Sequence, residues 1–117
     1  MEKKDVMRVL EQIYDPDYND LSVVAMGLVT EDDVSMEADG IQVAYSLTAP
    51  MCPFSAAIGL MIKHALEKKL GRPVAVKLKA GHYQERPVTE LLQDPRRSQE
   101  LMDKLAEYGI LERCVRL

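Results

Sequence analysis

One stretch of the sequence constrains the fold more than any other: between Asp39 and Ala80 the apolar residues change period twice. Asp39-Gly40 is a hairpin turn pair, and after it Ile41, Val43, Tyr45 and Leu47 alternate with Gln42, Ala44, Ser46 and Thr48. A period of two belongs to a strand with one buried face. Pro50 and Pro53 then bracket a short loop. Beyond it Phe54, Ala57, Ile58, Met61, Ile62, Ala65, Leu66 and Lys69 recur at helical spacing up to Gly71, which suits a C-cap. Pro73 opens another alternating run, with Val74, Val76, Leu78 and Ala80 set against Ala75, Lys77 and Lys79. Strand, helix and strand in this order call for a parallel crossover, expected to be right-handed.

The flanks complete the pattern. Val6, Val9, Leu10 and Ile13 fall at helical spacing, which predicts a helix from Asp5 to Tyr14 ended by Asp15-Pro16. Leu21 to Val29 is almost continuously apolar and reads as a strand buried on both faces, running on to about Met36 and pairing antiparallel with the strand after Gly40. After Gly81 the spacing predicts a short helical piece at 88–92 and a helix from Ser98 to Tyr108 capped by Gly109. The tail from Ile110 to Leu117 reads as an added edge strand or a coil. The expected fold class is α+β: a two-layer α/β sandwich, order α-β-β-α-β with a C-terminal helix, on a mixed three-stranded sheet. It forms a single domain over 1–117, with a core at 5–80 and a helical extension at 81–117.

Composition removes several classes of function. A net charge of -4 and a pI near 5.2 argue against nucleic acid as a partner, since phosphate binding needs clustered Lys and Arg. Lys68, Lys69 and Arg72, like Arg96 and Arg97, read as solvated helix ends. No run of apolar residues is long enough to span a bilayer. The opening residues lack the apolar core of an export signal. The expected location is therefore the cytoplasm, with the 2 cysteines, Cys52 and Cys114, reduced. There is no CxxC and no zinc-type His/Cys spacing.

The segment most suited to chemistry is Thr48-Ala49-Pro50-Met51-Cys52-Pro53. Pro53 fits the first position of the long helix, which puts Cys52 at or near the N-cap. There, unpaired N–H groups and the helix dipole favour the thiolate, the form that binds soft metals and attacks electrophiles. Thr48 ends the preceding strand and brings a hydroxyl toward the sulfur, and Met51 adds a thioether. The competing reading is a small buried cysteine with no chemistry. His82 follows the third strand, in a loop where sheet ends converge; His64 sits on the flank of the long helix and is expected in solvent. Cys114 has no comparable setting.

The strings IYDPD (13–17), SVVAMGLV (22–29), LTAPMCP (47–53) and LAEYGI (105–110), taken in this order, are similar to the SufT/PaaD-like family of metal–sulfur cluster biosynthetic proteins. The resemblance spans roughly 5–110. It implies a fold like the C-terminal domain of scaffold proteins for iron–sulfur cluster assembly. It also implies Cys52 as the functional thiol, with Thr48 and Asp15 at the matching motif positions. The chain departs from the family's pattern in carrying Ser22 in place of Asn and Ala25 in place of an acid. It reads GHYQERP, with His82, Tyr83 and Glu85, where the family has a Trp-bearing stretch.

The expected function is that of an accessory factor in iron–sulfur cluster assembly or transfer, with a transient iron or iron–sulfur cluster at Cys52. A cluster wants four thiolates, so one cysteine per chain calls for a homodimer, an assembly or client protein, or a small thiol to complete the shell. The alternative is a protein-binding adaptor with a structural cysteine, contacting its partner through Met51 and Phe54. An enzymatic reading would pair Cys52 with His82 or His64, and no sequence signal orients either imidazole. The expectation is that the protein is not an enzyme.

Overall fold

Helix α1, Lys3–Leu10, starts where Glu2 and Asp5 cap one another: the Asp5 carboxylate accepts the Glu2 N–H at 2.9 Å, and the Glu2 side chain returns the bond to the Asp5 N–H. The computed structural model describes residues 2–16, 20–47, 55–82 and 84–116. The first helix is shorter than its periodicity predicts. Ile13 and Tyr14 leave it because their backbone is claimed by two isolated antiparallel bridges, Tyr14 to Ser22 and Ile13 to Val115. Val6, Val9 and Leu10 still form one buried stripe.

The apolar run at 21–29 is not a strand. It closes as a single helical turn with a Schellman ending. The Leu28 N–H donates to the Val23 carbonyl at 2.9 Å, and the Gly27 N–H donates to the Val24 carbonyl at 3.0 Å. Gly27 makes this possible, since its φ of 74° lies in the left-handed region. Val23, Leu28 and Val29 are buried by the turn, which meets the same hydrophobic demand the strand would have met. The first strand comes later, after a 3-10 turn at Glu31–Asp33, and is only Val34–Glu37 (β1).

β1 pairs antiparallel with β2, Gly40–Tyr45, in the register Val34↔Val43 and Glu37↔Gly40. β2 pairs parallel with β3, Val74–Leu78, in the register Ile41↔Val74 and Tyr45↔Leu78. The sheet is therefore mixed and three-stranded, in the order β1-β2-β3. Gly40 is required by packing rather than by dihedral angle: a Cβ there would stand 2.7 Å from the Pro73 carbonyl oxygen. Ile41, Val43, Tyr45, Val74, Val76 and Leu78 turn inward, and Gln42, Ala75 and Lys77 turn outward, as the alternation requires.

Helix α2, Ser55–Leu70, lies across the inner face of the sheet. It is buried round most of its circumference, because α1, β3, α3 (Glu85–Gln93) and α4 (Pro95–Glu107) all pack on it. α4 is capped by Asp94, whose carboxylate accepts the Arg96 and Arg97 N–H groups, with Pro95 at the first helical position. Gly109, at φ 73°, turns the chain into a short α5, Ile110–Cys114. The tail is therefore a helix followed by one bridging residue, Val115. Val88, Leu92, Leu105 and Cys114 join the residues of the sheet, α1 and α2 in one hydrophobic cluster.

Candidate functional site

Thr48, Met51 and Cys52 lie outside the described residues, as do Pro53, Phe54 and Tyr83. What the structure shows is how the two ends of the 48–54 segment are fixed. On the strand side, the Ser46 N–H donates to the Leu28 carbonyl at 2.8 Å, tying the exit of β2 to the turn at 22–28. On the helix side, the fully buried Tyr45 donates its hydroxyl to the Ser55 carbonyl at 2.7 Å. One residue thus anchors the last position of β2 and the first turn of α2 together. Gly59 clears the space for that ring: a Cβ there would fall 2.7 Å from Tyr45 Oη.

Asp15 is 6% exposed and ends a miniature three-stranded arrangement. Residues 12–15 run through its centre. On one side the Asp15 N–H donates to the Leu21 carbonyl at 3.1 Å and the Val23 N–H donates to the Ile13 carbonyl at 2.8 Å. On the other side the Tyr14 N–H donates to the Cys114 carbonyl at 2.7 Å and the Arg116 N–H donates to the Gln12 carbonyl at 2.9 Å. The Arg116 guanidinium lies 3.9 Å from the Tyr14 ring centroid. Asp15 is thus a buried residue at the end of a short backbone segment that pairs with residues 21–23 on one side and, through Gln12 and Tyr14, with residues 114–116 on the other.

Ser22 and Ala25 stand where the resembled family carries Asn and an acid. The Ser22 hydroxyl accepts the Ala25 N–H at 3.0 Å and so does the local turn-capping work open to an Asn side chain. Ala25 is exposed.

His82 serves its own loop. Its Nδ1 accepts the Gln84 N–H at 3.0 Å, and its carbonyl accepts the Glu85 N–H at 3.1 Å, which starts α3. His64 is half-buried rather than in solvent, because α4 packs alongside α2. It lines a groove of ≈ 1230 Å³ together with Lys63, Glu67, Gln99, Met102 and Asp103. Neither Asp15 nor His82 borders this groove. Its charges are partly spent: Lys63 pairs with Glu67 at 2.9 Å, and the two cap the carbonyl and N–H of Val74.

Cys114 carries no motif around it that would single it out. Its residue is fully buried, and burial pushes the thiol up; Arg113 and Arg116 pull against this, while Asp15 adds to it. The apolar residues Ile110, Leu111 and Val115 around it are the sequence signal that this end of the chain docks, and all three pack against the core. Among the described residues no cluster of three or more His, Cys, Asp or Glu is placed to hold a metal ion. Among the same residues no helix is long and apolar enough to cross a membrane.

A mixed three-stranded sheet crossed by one central helix, with its β2–α2 connection held by a buried tyrosine, defines a small α+β domain. The sequence profile described as "Iron-sulfur cluster assembly protein" matches residues 3–78, well over half of the chain. The protein belongs to that iron–sulfur cluster assembly family. Its fold is similar to that in the crystal structure of a domain of unknown function, DUF59, from Bacillus anthracis. The TM-score is 0.60 at 17% identity, over 86% of this chain and 91% of that one. No curated protein matches the sequence.

Proposed function

We propose that this protein is an accessory factor of the SufT/PaaD-like kind, which passes iron or an iron–sulfur cluster toward client proteins through the Cys52 thiolate. Family membership over 3–78 carries the reading, because that span includes the whole LTAPMCP element and the Asp15 turn. The fixed ends of the 48–54 segment support it: a thiol that must receive and release a cargo benefits from a short connection anchored on both sides. The cluster is cargo. A chain that contributes one thiolate must share the remaining positions with a second copy, an assembly or client protein, or a small thiol. In this reading the protein works in the cytoplasm and catalyses no reaction of its own.

Anaerobic reconstitution with iron and sulfide tests this directly. The wild-type protein should develop visible-range sulfur-to-iron charge-transfer absorption. Cys52→Ser should lose it, and Cys114→Ala, which alters a sealed core thiol, should keep it. Equal absorption from wild type and Cys52→Ser would end the proposal and leave the adaptor reading, in which Cys52 only packs.

A further inference from the structure

β3 is an edge strand, and it borders the groove that α2 and α4 wall. The Ile41 N–H donates to the Pro73 carbonyl, and the Lys79 N–H donates to the Tyr45 carbonyl. The odd-numbered residues of β3 therefore bond to β2, and the even-numbered ones turn their backbone groups away from the sheet. At Val74 this outward pair is closed off by side chains. Lys63 Nζ donates to the Val74 carbonyl at 2.6 Å, and the Val74 N–H donates to Glu67 Oε2 at 3.2 Å. At Val76, one strand repeat further on, the N–H and the carbonyl meet no hydrogen-bond partner among the described residues. The groove is lined there by consecutive residues, Val74 to Lys77. Of the inward-facing residues of β3, Val76 keeps the most exposure, 7% against 2% for Val74 and 1% for Leu78. α3 also packs on β3, but of its described residues only Leu92 and Gln93, at its end, line the groove. A strand edge with an unpaired donor and acceptor is a template for another strand.

We propose that this edge is a docking groove for an extended, cationic segment of a partner protein, which adds a fourth strand to the sheet beside β3. The donor and acceptor of Val76 define the occupant as backbone in strand geometry. Successive side chains of such a strand face opposite ways, so one set meets Leu60 and Met102 in the groove and the other meets solvent. Charge selects the sign. Lys63 and Glu67 match one another, and Lys79 holds Asp33 at 2.9 Å, which leaves Asp32 and Asp103 in the groove wall against Lys77. The Lys63–Glu67 pair guards the edge: while it stays closed the incoming strand bonds at Val76, and its displacement adds the N–H and carbonyl of Val74 to the ladder. Docking uses no thiol, so it stands or falls apart from the role of Cys52.

Amide-resolved NMR titration of the isotope-labelled full chain reads the docking. The probe is a capped peptide of alternating valine and lysine, about seven residues long, enough for one strand. Two copies serve as controls: one N-methylated at every residue, which keeps the side chains and the charge but has no N–H, and one with glutamate in place of lysine. The lysine peptide should shift the Val76 amide saturably and slow its hydrogen exchange. The N-methylated copy should bind more than about tenfold more weakly, because it can donate nothing to the Val76 carbonyl. The glutamate copy should bind about threefold or more weakly, through repulsion by the groove's carboxylates. Lys63→Met, which frees the Val74 carbonyl, should tighten binding of the lysine peptide about three- to tenfold. Absence of a saturable shift at Val76 leaves the edge to water and overturns the proposal, as does equal binding of the N-methylated copy. Equal binding of the glutamate copy overturns the cationic occupant, and unchanged or weaker binding by Lys63→Met overturns the guard.

Discussion

Gly59 has no room for a methyl group. The added carbon would meet Tyr45 Oη at 2.7 Å and Leu92 Cδ1 at 3.0 Å, and both neighbours are themselves buried. Gly59→Ala should cost about 1–3 kcal/mol by overpacking. Tyr45→Phe leaves the Ser55 carbonyl without the tyrosine's hydroxyl and should cost about 1 kcal/mol. It also removes the atom that the new methyl strikes. The double variant should therefore be more stable than the sum of the two losses predicts, and urea melts of all four proteins measure that coupling. Asp33 offers a titration test at the same scale. Burial alone would raise its pKa, but the Lys79 ammonium at 2.9 Å and the Thr30 N–H and hydroxyl hold it below the ordinary value of 3.8. A depressed folded-state pKa stabilises the protein fully above the unfolded value and loses that contribution as pH falls through the folded one. Asp33→Asn should cost about 1 kcal/mol at pH 7 through the weakened cap. The gap from wild type should narrow as acid protonates the native carboxylate below pH about 4, and chemical melts at pH 7 and pH 3 check it.

The turn at 22–28 shows what sequence reading sees and what it misses among the elements. β2, α2 and β3 were legible because each repeats one period over several residues and is bounded by Pro or Gly. The run SVVAMGLV has no period, and continuous apolar sequence suits a buried turn as well as a buried strand. The deciding residue was Gly27, a lone glycine within an apolar run, which signals a break in extended structure. Gly27→Ala forces a Cβ into left-handed backbone and should lose about 1–2 kcal/mol, although no atom lies within 4 Å of the added carbon. A clash-based account would expect no loss, so thermal melts distinguish strain from crowding. Ser22→Asn, which restores the family's residue, should be close to neutral, because either side chain can accept the Ala25 N–H. The setting of Asp15 was legible only as a turn: the neighbouring Gln12 and Tyr14 pair with residues about a hundred positions away, and no local pattern encodes that pairing.

At the scale of the whole molecule, the family profile ends at residue 78, yet the core does not. Val88, Leu92, Leu105 and Cys114 belong to the same buried cluster as α2 and the sheet. Removing residues 81–117 would strip α3 and α4 from a helix that is apolar on nearly every side. The truncated chain should lose cooperative unfolding and bind a hydrophobic dye, as seen by circular dichroism and fluorescence. The pairing of residue 12 with residue 116 also sets an order on synthesis. During translation the stretch around Asp15 leaves the ribosome early, but its outer backbone partners are made about a hundred codons later. A nascent chain can build α1 and the β1–β2 hairpin while that corner still waits for its final clasp.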